Sequence, residues 1–405
     1  MKKFIMYGAG NIGRGFIGKI FSQSGYQVGF VDINEQVIAR LNQDKSYPVE
    51  IVSNEGVKNV IVQNAYGVDG KDVELVANEI ASAEIMATAI GVNVLKFIAK
   101  PIAMGLKKRF EQNAKPFNII ICENLIGADA FLKGLIKEQI PEYADRVEKE
   151  IGFVEASIGR MVPVMPEEAK KGNPLLVRVE PYNILPVDKD AFKGEIPKLD
   201  NLYPFAPFNL FIERKLFMHN MSHATCAYLG YQRGYEYIYQ AINDFDIKYV
   251  AYKALTQSAL AIAKENGVEI DFLLSHAENL LFRFKNVALA DTVERVGKDT
   301  IRKLSSNDRL IGAINLAEKH NLPCSSICLG VAAAMLFKPE ADERSNEIYA
   351  FAQENGAKLT LEKYSNYKGV HADLIDSAYQ MLKAGKDIDE VIEFCDKFDG
   401  EKIRV

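Results

Sequence analysis

Residues 1 to about 150 alternate short apolar runs with amphipathic segments. Short apolar runs are typical of strands buried on both faces of a parallel sheet, and apolar residues that recur at spacings of three and four indicate helices. The predicted strands cover residues 4–7, 27–31, 83–91, 118–122, 151–156 and 175–180, with 57–62 as a strand or connection, and the predicted helices cover 16–21, 35–42, 73–81, 94–110 and 128–139. This order predicts an α/β domain with a doubly wound sheet.

The pattern changes near residue 198, and helical periodicity dominates beyond it. The predicted helices cover residues 209–231, 235–266, 270–283, 292–303, 308–320, 325–337 and 342–354. We therefore expect an N-terminal Rossmann-type domain over residues 1–195 and a mostly α-helical domain over residues 196–405, with the boundary inside residues 186–204. The charged, helical tail contains no motif that indicates a function.

The first predicted strand runs into a glycine pattern, Gly8-x-Gly10-x-x-Gly13, and a helix follows it. In this context Gly8 permits a tight turn, Gly10 lets a pyrophosphate approach the backbone, and Gly13 lets the helix pack closely on the strand. Free N–H groups at the start of the helix favour an anion there. The predicted cofactor-binding residues are Gly8, Ala9, Gly10, Asn11, Ile12, Gly13, Asp32, Thr88 and Gly91.

Asp32 ends the second predicted strand, where an acidic residue binds a ribose 2′-hydroxyl and repels a 2′-phosphate. The predicted cofactor is therefore NAD rather than NADP. Thr88 and Gly91 belong to a run of small residues at the end of the strand over residues 83–91, and small residues there leave room for a ligand. Two alternatives stay open: the loop binds a flavin nucleotide, or it is a glycine turn that binds no nucleotide.

Composition narrows the class of protein. The chain of 405 residues has a formal net charge of −5, with 48% hydrophobic and 25% charged residues, which is ordinary for a globular protein. The mildly acidic balance predicts no nucleic-acid partner, and the lack of a long apolar stretch predicts no membrane span.

A core strand at the first residues argues against a cleavable signal. Five dispersed cysteines fit reduced thiols in a cytoplasmic protein, without a metal site. We expect a monomer or a small homo-oligomer.

Residues 213–224 contain the candidate catalytic side chains of the helical domain. At about 100° per residue, Asn220 lies about 140° and His223 about 80° from Lys215, so all three fit on one side of a helix. A lysine with apolar neighbours can act as a general base, and an asparagine can hold a developing alkoxide. On spacing alone, the favoured interpretation is an amphipathic helix with a solvated lysine and a core histidine.

Two familiar dehydrogenase sites are poorly supported. A catalytic zinc needs cysteine, histidine and carboxylate ligands, and the five histidines are scattered. Tyr249 and Lys253 have the Tyr-x-x-x-Lys spacing of short-chain dehydrogenases, but they lie in the helical domain and far downstream of the glycine loop. They are predicted to form an ordinary helix face.

Four blocks, residues 8–18, 122–124, 213–223 and 295–310, together resemble the polyol-specific long-chain dehydrogenases, the mannitol dehydrogenase family. The resemblance implies metal-independent hydride transfer between NAD and a polyol carbon. It implies Lys215 as the general base, Asn124 and Asn220 as the pair that holds the substrate oxygen, and His223 as the residue that binds substrate and orients the lysine. Closure of a cleft would bring the residues of both domains to the nicotinamide.

Within the family, the chain is most similar to the branch that acts on a sugar phosphate and begins directly on the first strand. The implied reaction interconverts D-mannitol 1-phosphate and D-fructose 6-phosphate. The candidates that hold the phosphate are Arg302, Lys303 and Arg309. Departures from the family pattern at residues 161–183, 283–287 and 298–300 leave open an unphosphorylated polyol or a sugar acid, such as mannitol or altronate. A nucleotide-binding regulator on the same scaffold is a third possibility.

Overall fold

The computed structural model describes residues 1–163 and 165–402, with no side chains described beyond Asp399. The chain divides into two compact units, of which the first ends at Asn209 and the second begins at Leu210, whereas we expected a boundary after residue 195. The strands are β1 (Lys2–Tyr7), β2 (Tyr26–Asp32), β3 (Ser46–Ser53), β4 (Gly56–Gln63), β5 (Ala65–Asp69), β6 (Ile85–Thr88), β7 (Phe117–Ile121), β8 (Ile151–Glu155), β9 (Val177–Val179), β10 (Leu185–Asp188) and β11 (Leu202–Phe205).

Helices surround the strands of the first unit and make up the second. They are α1 (Lys19–Gln23), α2 (Glu35–Asp44), α3 (Val73–Ser82), α4 (Leu95–Glu111), α5 (Ala128–Gln139), α6 (Ala144–Glu150), α7 (Asn209–Glu213), α8 (Met221–Gln232), α9 (Ile238–Ala241), α10 (Phe245–Asn266), α11 (Ile270–Phe284), α12 (Val293–Gly297), α13 (Thr300–Lys303), α14 (Ile311–Lys319), α15 (Ser325–Ala334), α16 (Glu343–Thr360), α17 (Ala372–Lys383) and α18 (Ile388–Lys402). In the described chain, π-helical turns form at Gly13–Gly18, Arg214–Asn220 and Leu361–Ser365.

The main sheet of the described residues has six parallel strands in the order β5-β2-β1-β6-β7-β8. The chain moves outward from β1 to β2 on one side and later returns to add β6 on the other side. Strand order therefore reverses at β1, and the crevice outside the carboxyl ends of β1 and β6 is the position where doubly wound sheets bind ligands. The predicted Rossmann-type domain is confirmed.

Side chains of β1 alternate between two apolar layers, one on each face of the sheet. Phe4 and Met6 join the layer formed with Phe16 and Phe30. Ile5 and Tyr7 join the opposite layer, which includes the buried side chains of α3, α4 and α5. Burial on both faces explains why the strand has a continuous apolar sequence rather than an alternating one.

Smaller sheets complete the first unit. β3 and β4 form an antiparallel hairpin, and β9 adds to β3 in parallel. The sequence predicted β9, left β4 as a strand or a connection, and did not predict β3. β10 and β11 pair in parallel, so the expected boundary segment, residues 186–204, contains parts of two paired strands of the first unit.

The second unit is helical, as predicted, and α15 lies at its centre. Every residue of α15 is buried, and the helix packs against α8, α10, α17 and α18. No helix in the described part of the chain has both the length and the apolar sequence needed to cross a membrane.

Two predicted helices are each divided in the structure. The predicted helix over residues 235–266 is wrong because Asp244 caps a new helix, α10, by accepting hydrogen bonds from the N–H groups of Asp246 and Ile247 at 3.0 and 3.1 Å. The predicted helix over residues 292–303 is wrong because Asp299 has a φ of +63°, which separates α12 from α13.

Arg109 joins the end of α4 to the loops beneath the main sheet. Its buried guanidinium donates hydrogen bonds to the carbonyl oxygens of Ala81, Ala83 and Lys115 at 3.0, 2.6 and 3.2 Å. The same group lies 4.2 Å from the centre of the Phe117 ring, at the start of β7. One side chain therefore satisfies several loop carbonyls that would otherwise lose a hydrogen-bond partner.

We expect Arg109→Met to lower the free energy of unfolding by about 2–4 kcal/mol, because the bound carbonyls lose their charged donor. Lys108→Met is the matched control: Lys108 pairs with the exposed Glu74, so its loss is expected to cost less than about 1 kcal/mol. Urea unfolding followed by circular dichroism measures both, since the chain has no tryptophan. Equal unfolding midpoints for the two variants would contradict this role of Arg109.

Candidate active site

The glycine loop joins β1 to the first π-helical turn. Gly8 has a φ of +105°, and a Cβ atom on it would lie 2.5 Å from the carbonyl oxygen of Ala89. A Cβ atom on Gly13 would lie 2.0 Å from the carbonyl oxygen of Gly8. Both positions therefore require glycine, which confirms the predicted tight turn at Gly8 and close packing at Gly13.

Asp32, the last residue of β2, is tied to the same loop. Its Oδ2 atom accepts a hydrogen bond from the backbone N–H of Ala9 at 2.7 Å, and its Oδ1 atom accepts one from Asn34 at 2.9 Å. These bonds fix the carboxylate at the carboxyl edge of the sheet, beside the glycine loop. This is the position at which Rossmann folds hold a ribose.

The crevice at this edge fits a dinucleotide. A Cβ atom on Gly10 would meet no atom within 4 Å, so the backbone of the loop Gly8-Ala9-Gly10-Asn11-Ile12-Gly13 is open to a ligand there. At the end of β6, the Thr88 hydroxyl is buried and has no hydrogen-bond partner in the described part of the chain. A buried hydroxyl without a partner is costly, and a bound ligand would supply one.

Glu123, which sequence reasoning did not assign to the site, organises the neighbouring loop. Its carboxylate is buried and accepts hydrogen bonds from the backbone N–H groups of Ile90 and Gly91 at 3.0 and 2.8 Å. Gly91 has a φ of +90°. Glu123 thus binds the loop after β6 to the segment that follows β7. The next residue in that segment, Asn124, is exposed. The block at residues 122–124 was the available signal for this glutamate.

The helix after the glycine loop begins as a π-helical turn, Gly13–Gly18. Two of its carbonyl oxygens accept hydrogen bonds from distant side chains: Tyr47 donates to Arg14 at 2.8 Å, and Arg160 donates to Gly15 at 3.2 Å. The buried guanidinium of Arg14 in turn donates to the carbonyl oxygen of Ala9 at 2.6 Å. The shape of the loop therefore depends on buried donors from β3 and from the segment after β8.

The segment with the candidate catalytic residues is a second π-helical turn, Arg214–Asn220, between α7 and α8. The backbone N–H of Met221 donates to the carbonyl oxygens of Leu216 and Met218. In a regular α-helix it would donate to the carbonyl oxygen of Phe217 instead. The hydroxyl of Ser258, a buried residue of α10, donates instead to the carbonyl oxygen of Phe217 at 2.7 Å. Ser258 therefore supplies a donor that the π-helical turn lacks.

This turn changes the predicted arrangement of the candidate residues. We assumed α-helical geometry, in which Lys215 and Asn220 diverge by about 140°. That assumption is wrong here, because hydrogen bonds from residue i to i+5 bring residues five positions apart closer to one line. π-Helical turns are rare and occur frequently at functional sites. Lys215 is half-buried, as is Asn220.

His223, on the first turn of α8, is held from two sides. Its Nε2 atom lies 3.1 Å from Oδ2 of Asp291, and its ring stacks on Phe284 with centroids 4.7 Å apart. Burial alone would raise the pKa of Asp291. The contacts of Asp291 with His223 and the charge of Arg295 outweigh burial, so the pKa of Asp291 lies below its ordinary value. An ionised carboxylate therefore lies beside Nε2 of the imidazole.

Two other histidines near this segment are poor proton acceptors. Burial lowers the pKa of His219 well below its ordinary value, and the charge of Arg283 lowers it further. Burial likewise lowers the pKa of His276, with the charges of Arg214 and Arg283 acting in the same direction. Both rings are therefore neutral near pH 7.

The candidate phosphate residues lie between α12 and α14, and each has partners within the protein. Arg302 forms ion pairs with Asp299 and Asp308 at 2.7 and 3.3 Å, and Arg309 forms one with Asp308 at 2.7 Å. Lys303 is buried and donates to the backbone carbonyls of Val296 and Lys298. Burial lowers the pKa of Lys303 to about 7, helped by the charges of the two arginines. A phosphate at this cluster would compete with the aspartates.

The described residues contain no group of three histidine, cysteine, aspartate or glutamate side chains arranged to hold a metal ion. Tyr249 and Lys253 bind Asp396 of α18, at 2.7 and 2.5 Å. Their predicted place on a helix face is confirmed.

We expect Ser258→Ala to destabilise the second unit by about 1–3 kcal/mol, because a buried carbonyl loses its donor. Thr256→Ala is the matched control on the same helix, since the Thr256 hydroxyl donates to Tyr252 one turn earlier in α10. Thermal unfolding of both variants provides the comparison. If Ser258→Ala and Thr256→Ala unfold at the same temperature, the hydrogen bond from Ser258 to the Phe217 carbonyl does not stabilise the unit.

Both units match models of one protein family. Residues 2–201 match the mannitol dehydrogenase Rossmann domain, and residues 208–396 match the mannitol dehydrogenase C-terminal domain.

Solved structures of similar fold point the same way. A Pseudomonas fluorescens mannitol 2-dehydrogenase, in ternary complex with NAD and D-mannitol, is 15% identical, with a TM-score of 0.76 over 98% of this chain and 94% of that one. A D-sorbitol dehydrogenase in substrate-free form is 17% identical, with a TM-score of 0.78 over 94% of this chain and 92% of that one. At these identities the structures show a shared fold, and the two family matches together show that the chain belongs to the mannitol dehydrogenase family.

Proposed function

We propose that the chain is an NAD-dependent, metal-independent polyol-phosphate dehydrogenase that interconverts D-mannitol 1-phosphate and D-fructose 6-phosphate, the reaction of a mannitol-1-phosphate 5-dehydrogenase. The observation that carries the proposal is the π-helical turn Arg214–Asn220, which holds Lys215 and Asn220 in a family whose members oxidise polyols. The first unit adds a glycine loop and an acidic residue suited to a dinucleotide.

The cofactor is NAD. Asp32 lies at the ribose position and would repel the 2′-phosphate of NADP. The structural relative from Pseudomonas fluorescens was solved with NAD, which supports the same choice. When bound, NAD accepts or supplies the hydride, and the protein binds, orients and moves the proton.

Lys215 is the general base that takes the proton of the reacting hydroxyl when the polyol is oxidised. The neighbouring buried histidines are unsuited to this role because burial lowers their pKa values. His223 is fixed by Asp291, which leaves it to orient substrate and lysine. Asn220 and Asn124 donate hydrogen bonds to the oxygen as negative charge develops on it.

The phosphate is held by Arg302, Lys303 and Arg309. The guanidinium groups of Arg302 and Arg309 have the bidentate geometry that suits a phosphate monoester, and Lys303 adds a third basic group, whose pKa burial lowers to about 7. Their present partners Asp299 and Asp308 fix the side chains before the ligand arrives.

The alternative is a dehydrogenase of an unphosphorylated polyol or a sugar acid. It is favoured by the structural relatives, whose names specify mannitol 2-dehydrogenase and D-sorbitol dehydrogenase, and one of which contains D-mannitol. The ion pairs of Arg302 and Arg309 favour it as well, since those charges are already neutralised.

We expect Lys215→Met to lower the turnover of fructose 6-phosphate with NADH by about 10²–10⁴-fold, the usual contribution of a general acid–base group. In the unmodified enzyme, polyol oxidation should rise with pH as Lys215 loses its proton, and ketose reduction should prefer lower pH. Lys248→Met removes an exposed lysine of α10 and is the control. Turnover of Lys215→Met near the control value, or an oxidation rate independent of pH when chemistry is limiting, would remove Lys215 from this role.

We expect fructose 6-phosphate to be reduced with a kcat/KM at least about tenfold above that of fructose at equal NADH, because an ion pair with phosphate contributes binding energy. Altronate and mannitol are tested in the oxidation direction on the same preparation. Preference for an unphosphorylated compound would establish the alternative. No turnover across the panel, with NADH binding intact, would indicate a nucleotide-binding regulator.

A further inference from the structure

A cysteine, a histidine and a glutamate are aligned in the second unit, outside the residues assigned to the dehydrogenase site. Cys324 precedes α15, His371 precedes α17, and Glu318 belongs to α14. The Sγ atom of Cys324 lies 3.5 Å from Nε2 of His371, and Nδ1 of His371 lies 2.6 Å from Oε1 of Glu318. This order of thiol, imidazole and carboxylate is the one that activates a cysteine in thiol enzymes.

We infer that Cys324 is an oxidation site that reacts with hydroperoxides and is resolved by Cys328 into an internal disulfide. The two sulfur atoms lie 4.0 Å apart.

The carboxylate fixes the imidazole in the orientation that faces the sulfur. The Tyr367 hydroxyl also donates to Oε1 of Glu318, at 2.5 Å. Burial raises the pKa of Glu318, but hydrogen bonds from His371 and Tyr367 outweigh burial and lower it overall. The ionised carboxylate accepts the hydrogen of Nδ1. Nε2, the nitrogen that faces Cys324, therefore carries no hydrogen in the neutral ring and can accept the thiol proton.

The same contacts favour a thiolate at Cys324. A hydrogen bond from Cys328 lowers the pKa of Cys324, and despite burial the further bond from His371 leaves that pKa at about 7. Burial instead raises the pKa of Cys226 to about 12, and no histidine contributes to that shift. The two thiols are equally buried, so the difference comes from the partners of Cys324.

The reaction proceeds in two balanced steps. Nε2 of His371 takes the proton of the Cys324 thiol. The thiolate attacks the terminal, hydrogen-bearing oxygen of the hydroperoxide, an S–O bond forms, the O–O bond breaks, and the alcohol leaves with the proton that His371 took. Sulfur is oxidised to sulfenic acid and the peroxide is reduced. The Cys328 sulfur then attacks Cys324, an S–S bond forms, the S–O bond breaks, and water leaves with the Cys328 proton.

Bond formation requires local adjustment, because the sulfur atoms must approach to about 2 Å. Cys324 lies before the first residue of α15 and has φ −148° and ψ 24°, so it is outside the regular helix. Its side chain can therefore turn toward Cys328 without unwinding α15.

α18 packs on α15, and its Phe398 ring lies 5.6 Å from the ring of His371, so this helix borders the site. Asp399 of α18 accepts hydrogen bonds from Ser325 at 2.5 Å and Gln257 at 2.9 Å, and it lies 3.3 Å from the ammonium group of Lys253. These contacts hold the last described helix over the start of α15. Both cysteines of the site are fully buried, so a small peroxide reaches them when this helix opens locally.

The test treats the reduced full-length chain with hydrogen peroxide at neutral pH and maps its peptides by mass spectrometry. We expect a disulfide between Cys324 and Cys328, and in Cys328→Ser we expect a sulfenic acid at Cys324 that dimedone traps. Modification at Cys324 should be at least about tenfold faster than at Cys226, which serves as the internal control in every sample.

Two further variants separate activation from access. Glu318→Gln keeps an oxygen acceptor for His371 but removes the charge, so we expect slower oxidation of Cys324. Asp399→Asn weakens the attachment of α18, so we expect faster oxidation. Circular dichroism establishes that each variant is folded. Equal rates at Cys324 and Cys226 in the unmodified protein, or a rate at Cys324 that Glu318→Gln leaves unchanged, would overturn the inference.

Discussion

Backbone carbonyl oxygens inside two π-helical turns accept hydrogen bonds from side chains that lie far away in the sequence. In the first unit, Tyr47 and Arg160 donate to the turn that follows the glycine loop. In the second unit, Ser258 donates to the turn that contains Lys215. A buried carbonyl without a partner costs about 1–3 kcal/mol, so these distant donors stabilise both turns. The small sheet of β3, β4 and β9 and the long helix α10 are therefore part of the functional geometry and not only of the scaffold.

The apolar pattern predicted most of the main sheet and the division into an α/β part and a helical part. It succeeded because strands buried on both faces need continuous apolar runs, a requirement that is local in sequence. It missed β3, β5, β10 and β11, which pair with strands elsewhere in the chain. It also joined α9 to α10, because one aspartate cap does not interrupt the apolar periodicity around it. A π-helical turn changes the hydrogen-bond pattern without a characteristic residue, so it could not be predicted from the residue pattern.

The candidate site divides in the same way. The requirements at Gly8 and Gly13 are set by backbone conformation and close packing, and Asp32 ends the next strand along the chain, so local spacing alone indicated all three. Glu123 and Ser258 act on backbone groups far from them in sequence, and only the folded chain shows those contacts. The roles of Lys215, Asn220 and His223 came from family resemblance, since their spacing alone fits an ordinary amphipathic helix. The contact of His223 with Asp291 depends on how α8 packs against the residues before α12.

Charge in the first unit adds a reason for the glycine loop to hold an anion. Arg14, Lys19 and Arg160 are all buried close to the helix that follows the loop. Burial lowers the pKa of Lys19 to about 8, and the charges of Arg160 and Lys58 add to the effect. Burial also lowers the pKa of Arg14, partly offset by Tyr47 and Asp32. Because the folded state binds the Lys19 proton less tightly than the unfolded chain, this penalty is full below pH 8 and declines as pH rises above it. Of these groups, Arg14 contacts the loop itself, so a pyrophosphate there would offset part of the buried positive charge, and a dinucleotide that binds the folded unit would stabilise it.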